Sequence, residues 1–314
     1  MTSSIFGPVI SRRFGTSLGI DLSPELKQCN FDCLYCELAP SATVNRQQSI
    51  IDPNVLMHDL QAALEKHPNI DVITITANGE PTLYPHLDEL IQKIGQIKND
   101  TKTLILSNSA TLTDTKVFTT LLRFEQVKLS LDAVSDNIFK KIDRPSHTID
   151  IEEIKQSIIR FSEVYEGELF IEILFVKGLN DTPEEIAALN GVLGHINAKR
   201  IDIGSIDRPP AYPIEGITYS ELHHIATLFD PKLPIHIASR HQAENAASSY
   251  SEDEIINTLD KRPLTFEDIT LLFDTESIKR FKRLVETEKI IKNERSGLTF
   301  YIPAENIKRK RKKA

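Results

Sequence analysis

Two kinds of hydrophobic pattern alternate along the first 240 residues. Short β-branched or apolar runs predict six strands, and the stretches between them carry apolar residues at helical spacing. The predicted strands cover residues 14–22, 70–76, 103–106, 127–131, 169–176 and 201–206, and residues 235–238 form a further candidate strand. Repeats of this kind predict a parallel sheet built from right-handed βα units.

The number of repeats sets the predicted fold class. Six βα units are too few to close the eight-stranded ring of a TIM barrel. The sequence therefore predicts an α/β fold, a partial (β/α)6 TIM-type barrel, over residues 1–240. A partial barrel keeps a lateral opening, which suits a substrate larger than a metabolite. Polar, glycine-bearing segments follow the strands, at the end where such barrels carry their sites.

The pattern changes after residue 240. A polar stretch rich in alanine and serine predicts a linker over 241–251. Residues 252–306 show three short helical patterns and then a hairpin, an order that resembles a winged helix, whose third helix can enter a nucleic-acid groove. The basic residues of that third helix are Lys279, Arg280, Lys282 and Arg283. The alternative is a small stabilising or protein-contacting module, because acidic residues share the segment. Residues 307–314 form a basic tail that we expect to be disordered.

Charge and composition exclude several classes of protein. The 314 residues carry a net charge of −8, and six positive charges stand in the tail alone; without them 31 basic residues face 45 acidic ones, a net charge of −14. A body this acidic is not an all-over nucleic-acid binder. No apolar run approaches the roughly 18–20 residues of a membrane span, and no signal peptide is apparent. We therefore expect a cytoplasmic protein with no membrane contact.

All three cysteines of the chain lie in one short stretch. Cys29, Cys33 and Cys36 are spaced by four and three residues on a polar loop after the first predicted strand. Three thiolates at this spacing can hold three corners of an iron–sulfur cluster, for which cysteines are the usual ligands. Zinc is the alternative, but structural zinc usually takes four protein ligands, and the nearest histidine is His58. Three inert core cysteines are the remaining possibility.

The spacing, with Tyr35 before the last cysteine, resembles the signature of the radical S-adenosylmethionine (SAM) superfamily. That resemblance implies a [4Fe-4S] cluster on the three cysteines, with the fourth iron chelated by SAM. It also implies reductive cleavage of SAM to a 5′-deoxyadenosyl radical, and an electron donor such as flavodoxin or ferredoxin. The cofactor carries this chemistry, while the protein binds, orients and excludes solvent.

The turn after the second predicted strand strengthens the resemblance. Asn78, Gly79 and Glu80 stand where the superfamily has a Gly-Gly-Glu motif that holds the amino group of SAM. Asn78 departs from the first glycine, so Gly79 and Glu80 carry the match. Glycine lets backbone groups approach a ligand closely. The alternative is an ordinary turn.

Polar residues after the later strands complete the candidate SAM site. The family places groups for the ribose hydroxyls and the carboxylate at positions that correspond here to Ser107, Asn108, Ser130 and Asp132. Capping of the following helices is the alternative role. Gly178 stands where the family flanks adenine, and it could equally serve turn geometry. Its neighbour Lys177 is an acid or a salt-bridge partner.

Several motifs outside the cysteine loop resemble one branch of the superfamily, the branch of the wyosine-type tRNA base synthases. They lie at residues 6–9, 11–13, 17–21, 78–82 and 207–209. Arg12 and Arg13 are either a solvated pair or contacts for an anionic substrate group at the mouth of the cavity. The wyosine synthases use a second cluster with further cysteines, and this sequence has none to spare.

Three functions therefore remain open. The leading hypothesis is radical modification of RNA, tRNA included, by hydrogen abstraction from a large substrate. The second is radical activation or modification of a protein partner docked on the C-terminal module. The third is a non-enzymatic iron–sulfur redox sensor that acts on DNA through the winged helix.

Overall fold

The larger part of the chain forms one eight-stranded sheet. The computed structural model describes residues 4–11, 13–206, 208–237, 249–261, 263–295 and 298–305. The strands lie in chain order across the sheet: β1 (Ile5–Ser11), β2 (Gly15–Asp21), β3 (Val72–Thr76), β4 (Lys102–Ser107), β5 (Gln126–Ser130), β6 (Glu168–Phe175), β7 (Arg200–Ser205) and β8 (Ile235–Ile237). Strands β2 to β8 pair in parallel, and β1 is antiparallel to β2. Within these described ranges β1 and β8 are the edges, so the sheet stays open.

Seven helices connect the parallel strands. They are α1 (Pro53–Lys66), α2 (Leu87–Ile97), α3 (Thr115–Leu121), α4 (Asp136–Ile142), α5 (Ile151–Val164), α6 (Pro183–Leu193) and α7 (Tyr219–Leu228). The six predicted strands are confirmed, and the candidate strand at 235–238 is present as β8. The result is an α/β fold with a parallel sheet that fits a partial TIM-type barrel.

Strand β1 and helix α4 of the barrel were not predicted. Strand β1 contains Gly7-Pro8, and a proline argues against a central strand although it is tolerated at a sheet edge, where β1 lies. Helix α4 has only seven residues, and its buried side chains Phe139 and Ile142 are too few to show a helical period.

The two faces of the sheet differ in polarity. Alternate residues such as Ile73, Ile105 and Ile171 are fully buried in the hydrophobic core that includes the helices. Because side chains alternate along a strand, Thr74 and Lys128 lie on the other face, inside the partial barrel. The interior of the barrel is mixed, because Leu106 and Phe170 are the in-register neighbours of Lys128, and the main apolar core lies between sheet and helices.

Ion pairs cross the interior of the partial barrel. Arg13, in the turn before β2, lies 2.5 Å from Glu172 Oε1 and 3.2 Å from Asp202 Oδ2. Lys128 Nζ lies 2.6 Å from Glu172 Oε2. Burial opposes ionisation of Glu172, but the charges of Lys128 and Arg13 outweigh it and lower the pKa of that carboxyl well below its usual range. Arg13 is therefore not simply solvated, because its guanidinium is paired with two carboxylates of the sheet.

The C-terminal elements have a separate hydrophobic cluster. Helices α8 (Glu252–Lys261), α9 (Phe266–Leu272) and α10 (Thr275–Glu286) accompany a sheet in the order β10-β11-β9. Its strands are β9 (Leu264–Thr265), β10 (Ile290–Arg295) and β11 (Leu298–Pro303). The three helices and the hairpin match the predicted elements, and β9 is an addition. Whether they form a winged helix, and where the domains begin and end, stay predictions.

The C-terminal module contacts the barrel directly. Asn257 Nδ2 donates to Ile5 O at 3.1 Å, and Lys66 of α1 pairs with Glu254 of α8. Most of the predicted linker, the basic tail, Arg12, Asp207 and the hairpin turn at 296–297 lie outside the described residues. In the part of the chain that the structure describes, no helix is both long and apolar enough to cross a bilayer.

We predict that Arg13→Met destabilises the protein, because the carboxylates of Glu172 and Asp202 lose a neutralising charge. The side chains of Arg13 and Glu172 are 22% and 25% exposed. The loss of unfolding free energy is thus expected at or below the low end of the range for broken buried pairs, about 2–3 kcal/mol. Urea unfolding measures it. A variant as stable as the unaltered protein would contradict this explanation.

Candidate metal centre and cofactor site

The cysteine loop begins after β2, at the C-terminal edge of the parallel sheet. Its cysteines, Cys29, Cys33 and Cys36, are free and partly buried. A turn brings two of them together, since Cys36 N donates to Cys33 O at 3.1 Å. In the described ranges, no set of three or more His, Cys, Asp or Glu side chains is gathered closely enough to hold a single metal ion. Three thiols with no histidine beside them in sequence are a donor set that fits an iron–sulfur cluster.

Burial keeps these thiols protonated in the absence of metal. It raises the pKa of Cys29 to about 12, and the nearby carboxylate of Glu80 adds to the shift. Burial likewise raises the pKa of Cys33 and of Cys36, although the Lys27 ammonium partly offsets the shift at Cys36. Metal ligands must be thiolates, so loading of this site has to release protons.

The turn after β3 supports the start of the cysteine loop. Gln28 pairs with Gly79 as an isolated β-bridge, with Gln28 N donating to Asn78 O and Glu80 N donating to Gln28 O, both at 2.9 Å. Gly79 has a φ of +139°, and a Cβ there would stand 1.9 Å from Gln28 O. Glycine at 79 is thus required for the residue before Cys29 to dock on β3.

The side chain of Glu80 makes its contacts within the protein. Its carboxylate is buried and accepts four hydrogen bonds: Thr82 N at 3.1 Å, Thr82 Oγ1 at 2.6 Å, Ser107 Oγ at 2.9 Å and Asn108 N at 2.8 Å. Burial raises the pKa of this carboxyl, and the four donors oppose the shift. The side chain ties the turn after β3 to the end of β4, so it supports the site from within and is not itself available to a ligand.

Asn108 joins the end of β4 to the cysteines. Its Nδ2 donates to Asn30 Oδ1 at 2.6 Å and lies 3.7 Å from Cys29 Sγ. Its Oδ1 also accepts from Ala110 N at 3.1 Å, so the capping role is present too. The structure therefore brings Ser107 and Asn108 beside the cysteine loop.

Asp132 is the next predicted site residue, and it too contacts the loop. Tyr35 OH donates to Asp132 Oδ2 at 2.5 Å and lies 3.3 Å from Asp143 Oδ1. Leu174 N donates to Asp132 Oδ1 at 2.6 Å. Burial raises the pKa of Asp132 to about 7 and also raises the pKa of Asp143. Ser130 lines the same small cavity as Tyr35 and Asp132.

The third predicted group stands apart. Gly178 has a φ of +71° and open space where a Cβ would lie, so its glycine serves the turn. Lys177 Nζ lies 3.1 Å from Glu221 Oε1, which is the salt-bridge alternative. Neither residue has a contact with the cysteine loop among the hydrogen bonds and ion pairs of the described residues.

Some residues of the site were missed at the sequence level. Asp143 is the C-cap residue of α4, and α4 itself was not predicted. The neighbouring Ile142 contacts the cysteine loop, since its carbonyl oxygen accepts from Leu34 N at 2.8 Å. Asn180 was missed as well, although it is fully buried and donates to Asp132 O at 2.8 Å. A buried asparagine in a turn after a strand leaves no pattern in the sequence, because its partners are distant along the chain.

We predict that Glu80→Gln destabilises the protein by about 1–3 kcal/mol, the penalty for a buried group left without its partner. The amide NH2 would face one of the donors that now point at the carboxylate. Urea unfolding of the metal-free protein measures the loss. Glu166→Gln, at an exposed position before β6, is the matched control and is expected to change stability by no more than about 0.5 kcal/mol. Equal stability of the two variants would contradict the buried role.

Comparison with known proteins gives a family. The family model described as Radical SAM superfamily matches residues 26–189, just over half of the chain. A UPF0026 protein of Helicobacter pylori is 40% identical over 300 residues, 95% of this chain and 96% of the relative. One of Methanocaldococcus jannaschii is 28% identical over 96% of each chain. A radical SAM methyltransferase structure from Sphaerobacter thermophilus has the same fold, with a TM-score of 0.58 at 13% identity over 71% of this chain and 65% of that one. The superfamily uses a [4Fe-4S] cluster and S-adenosylmethionine. With three thiols, the Gly-Glu turn and this match, the chain belongs to the radical SAM superfamily.

Proposed function

We propose that this protein is a radical SAM enzyme that abstracts hydrogen from a macromolecule, and that the macromolecule is an RNA such as tRNA. The main observation that supports this proposal is the cysteine loop. All three thiols of the chain lie on this one loop, at the C-terminal edge of an open parallel sheet. Cys29, Cys33 and Cys36 would hold the cluster. When bound, the cluster and SAM supply a 5′-deoxyadenosyl radical.

The residues around the loop have separate tasks in this proposal. The backbone of Gly79 and Glu80 would receive the amino group of SAM, because the Glu80 carboxylate is occupied internally. Asn108 and Asp132 contact the cysteine loop at Cys29 and Tyr35, and ribose and carboxylate groups of SAM would bind beside them. An electron donor of the flavodoxin or ferredoxin kind would supply the reducing electron. Free thiols fit a reducing compartment, so we place the protein in the cytoplasm.

The choice of RNA rests on the C-terminal module, which we assign as a winged-helix-like domain. On α10, Lys279, Lys282 and Arg283 are exposed on a protein whose body is acidic. The motifs shared with the wyosine-type branch point the same way. Because no cysteines remain for a second cluster, the proposal extends to RNA modification and not to tricycle formation.

A protein partner is the second candidate. Lys279 pairs with Glu276, and Arg283 pairs with Glu252, so two of the exposed cations on α10 are already neutralised. A mixed-charge face of this kind also suits a protein surface. Hydrogen abstraction from a docked protein uses the same barrel site.

We predict that anaerobic reconstitution with iron and sulfide gives a brown protein that forms 5′-deoxyadenosine from SAM and a reductant. Each of Cys29→Ser, Cys33→Ser and Cys36→Ser is expected to lose the chromophore and the product, because a hydroxyl does not replace a thiolate ligand. Asn45→Ala, at an exposed position of the same loop, is the control that keeps both. Tightly bound zinc and no chromophore in the unaltered protein would overturn the proposal.

We predict that RNA, and not a protein pool, stimulates this reaction and binds in a salt-dependent way. Lys279→Gln with Lys282→Gln should flatten the slope of log affinity against log salt by roughly 0.7–0.9 per lost phosphate contact. Lys116→Gln with Lys232→Gln, two exposed lysines of the barrel, is the matched control. Stimulation by the protein pool alone would favour the second candidate, and neither pool stimulating would remove the macromolecular substrate.

A further inference from the structure

The chain after β7 folds back over the cysteine loop. Within residues 208–216, here called the mouth segment, Ala211 N donates to Cys36 O at 2.8 Å, and Arg208 pairs with Glu37. At the other end of the mouth segment, Gly216 pairs with Val176 after β6. The mouth segment therefore joins the loop after β2 to the end of β6, across the C-terminal edge of the sheet.

The mouth segment also contacts the side chain of Asp32, which lies between two of the cysteines. Tyr212 OH donates to Asp32 Oδ2 at 2.5 Å. Lys27 Nζ donates to Asp32 Oδ1 at 2.7 Å, and Ser41 N lies 3.4 Å from the same oxygen. The side chains of Lys27 and Asp32 are only 8% and 9% exposed. The cysteine loop is thus held at Asp32 by the mouth segment on one side and by its own residues on the other.

A third segment reaches the same point through Arg144. Its guanidinium lies 4.7 Å from the centroid of the Tyr212 ring and 3.7 Å from Asp32 Oδ2. Arg144 follows the C-cap of α4 with a φ of +47°, in the left-handed region. Glycine or asparagine is the usual residue at such a helix end, because other side chains are strained there. Arg144 thus holds a strained backbone conformation while its side chain contacts both Tyr212 and Asp32.

We propose that Tyr212 and Arg144 are positioning residues for the cysteine loop. Acting through Asp32, they clamp the mouth segment onto the loop and fix the spacing of the thiols before metal arrives. This inference rests on the proposed function only where it assigns those thiols to a cluster.

The test measures how readily the cysteines of the metal-free, reduced protein react with iodoacetamide, with peptide mass spectrometry to assign each thiol. Tyr212→Phe removes one bond to Asp32 and keeps the ring under Arg144. Arg144→Asn removes the guanidinium and suits the left-handed backbone. Tyr212→Phe is expected to raise the reaction rate of Cys36 roughly tenfold, the effect of losing one hydrogen bond to a charged group. Arg144→Asn is expected to raise the same rate, because the ring of Tyr212 and the carboxylate of Asp32 lose the guanidinium beside them.

Two controls separate clamping from general loosening. Tyr219→Phe and Arg123→Asn alter an exposed tyrosine and a half-exposed arginine that have no contact with the cysteine loop among the described interactions, and should leave the rate unchanged. Thermal unfolding of Arg144→Asn is expected at or above the temperature of the unaltered protein, because backbone strain is relieved. A merely structural role for Arg144 would instead lower that temperature in step with the faster labelling.

After iron loading, both variants should show an altered EPR spectrum of the reduced cluster, which a distant structural change would not produce. Unchanged labelling in both Tyr212→Phe and Arg144→Asn overturns the proposal. The labelling assay needs no cluster. Failure of the unaltered protein to hold iron would therefore contradict the proposed function, whereas the positioning role of Tyr212 and Arg144 is tested by labelling alone.

Discussion

The contact between the backbones of Gln28 and Gly79 is the constraint on which the site depends. The cysteine loop has no helix or strand of its own in the described residues, so its geometry comes from what it leans against. The absence of a side chain at 79 lets the loop dock on the end of β3, one residue before the first cysteine. The peptide that follows carries Glu80, whose buried carboxylate extends the same support to the end of β4. A rigid sheet edge thereby positions a loop that could not position itself.

Charged side chains tie distant strands of the sheet together across the barrel interior. The helix-facing side chains of the parallel strands form one apolar core. The inward-facing side chains are mixed, since Lys128 has Leu106 and Phe170 as its in-register neighbours. Within this mixed interior, Arg13 reaches from the β1–β2 turn to Glu172 of β6 and Asp202 of β7. Ion pairs therefore share the interior with apolar side chains, whereas apolar layers fill a closed barrel.

The sequence predicted those features that depend on residues close together along the chain. The parallel strands were predicted because β-branched runs such as 72–76 are long enough to be recognised. The cysteines were predicted as cluster ligands because they lie close together in the sequence. Strand β1 was missed because Gly7-Pro8 reads as a turn. Asp32 and Tyr212 were missed as partners because 180 positions separate them, and neither residue type is unusual in a loop. The sequence allowed either a solvated residue or a contact at the mouth for Arg13, since it does not state which distant carboxylates a side chain beside a strand reaches.

The buried carboxyls beside the thiols, Asp132 and Asp143, are groups that do not both have to be charged. Three thiolates on an iron–sulfur cluster add negative charge to a site that already contains Asp132 and Asp143. Burial raises the pKa of both carboxyls, to about 7 for Asp132, and Tyr35 OH lies between them as a shared donor. Near neutral pH such a pair carries less than two full charges, because two carboxylates this close do not both ionise freely. Lys27, paired with Asp32 and near Cys36, supplies positive charge on the other side of the loop. The site thus keeps polar groups for a ligand while limiting the negative charge beside the metal.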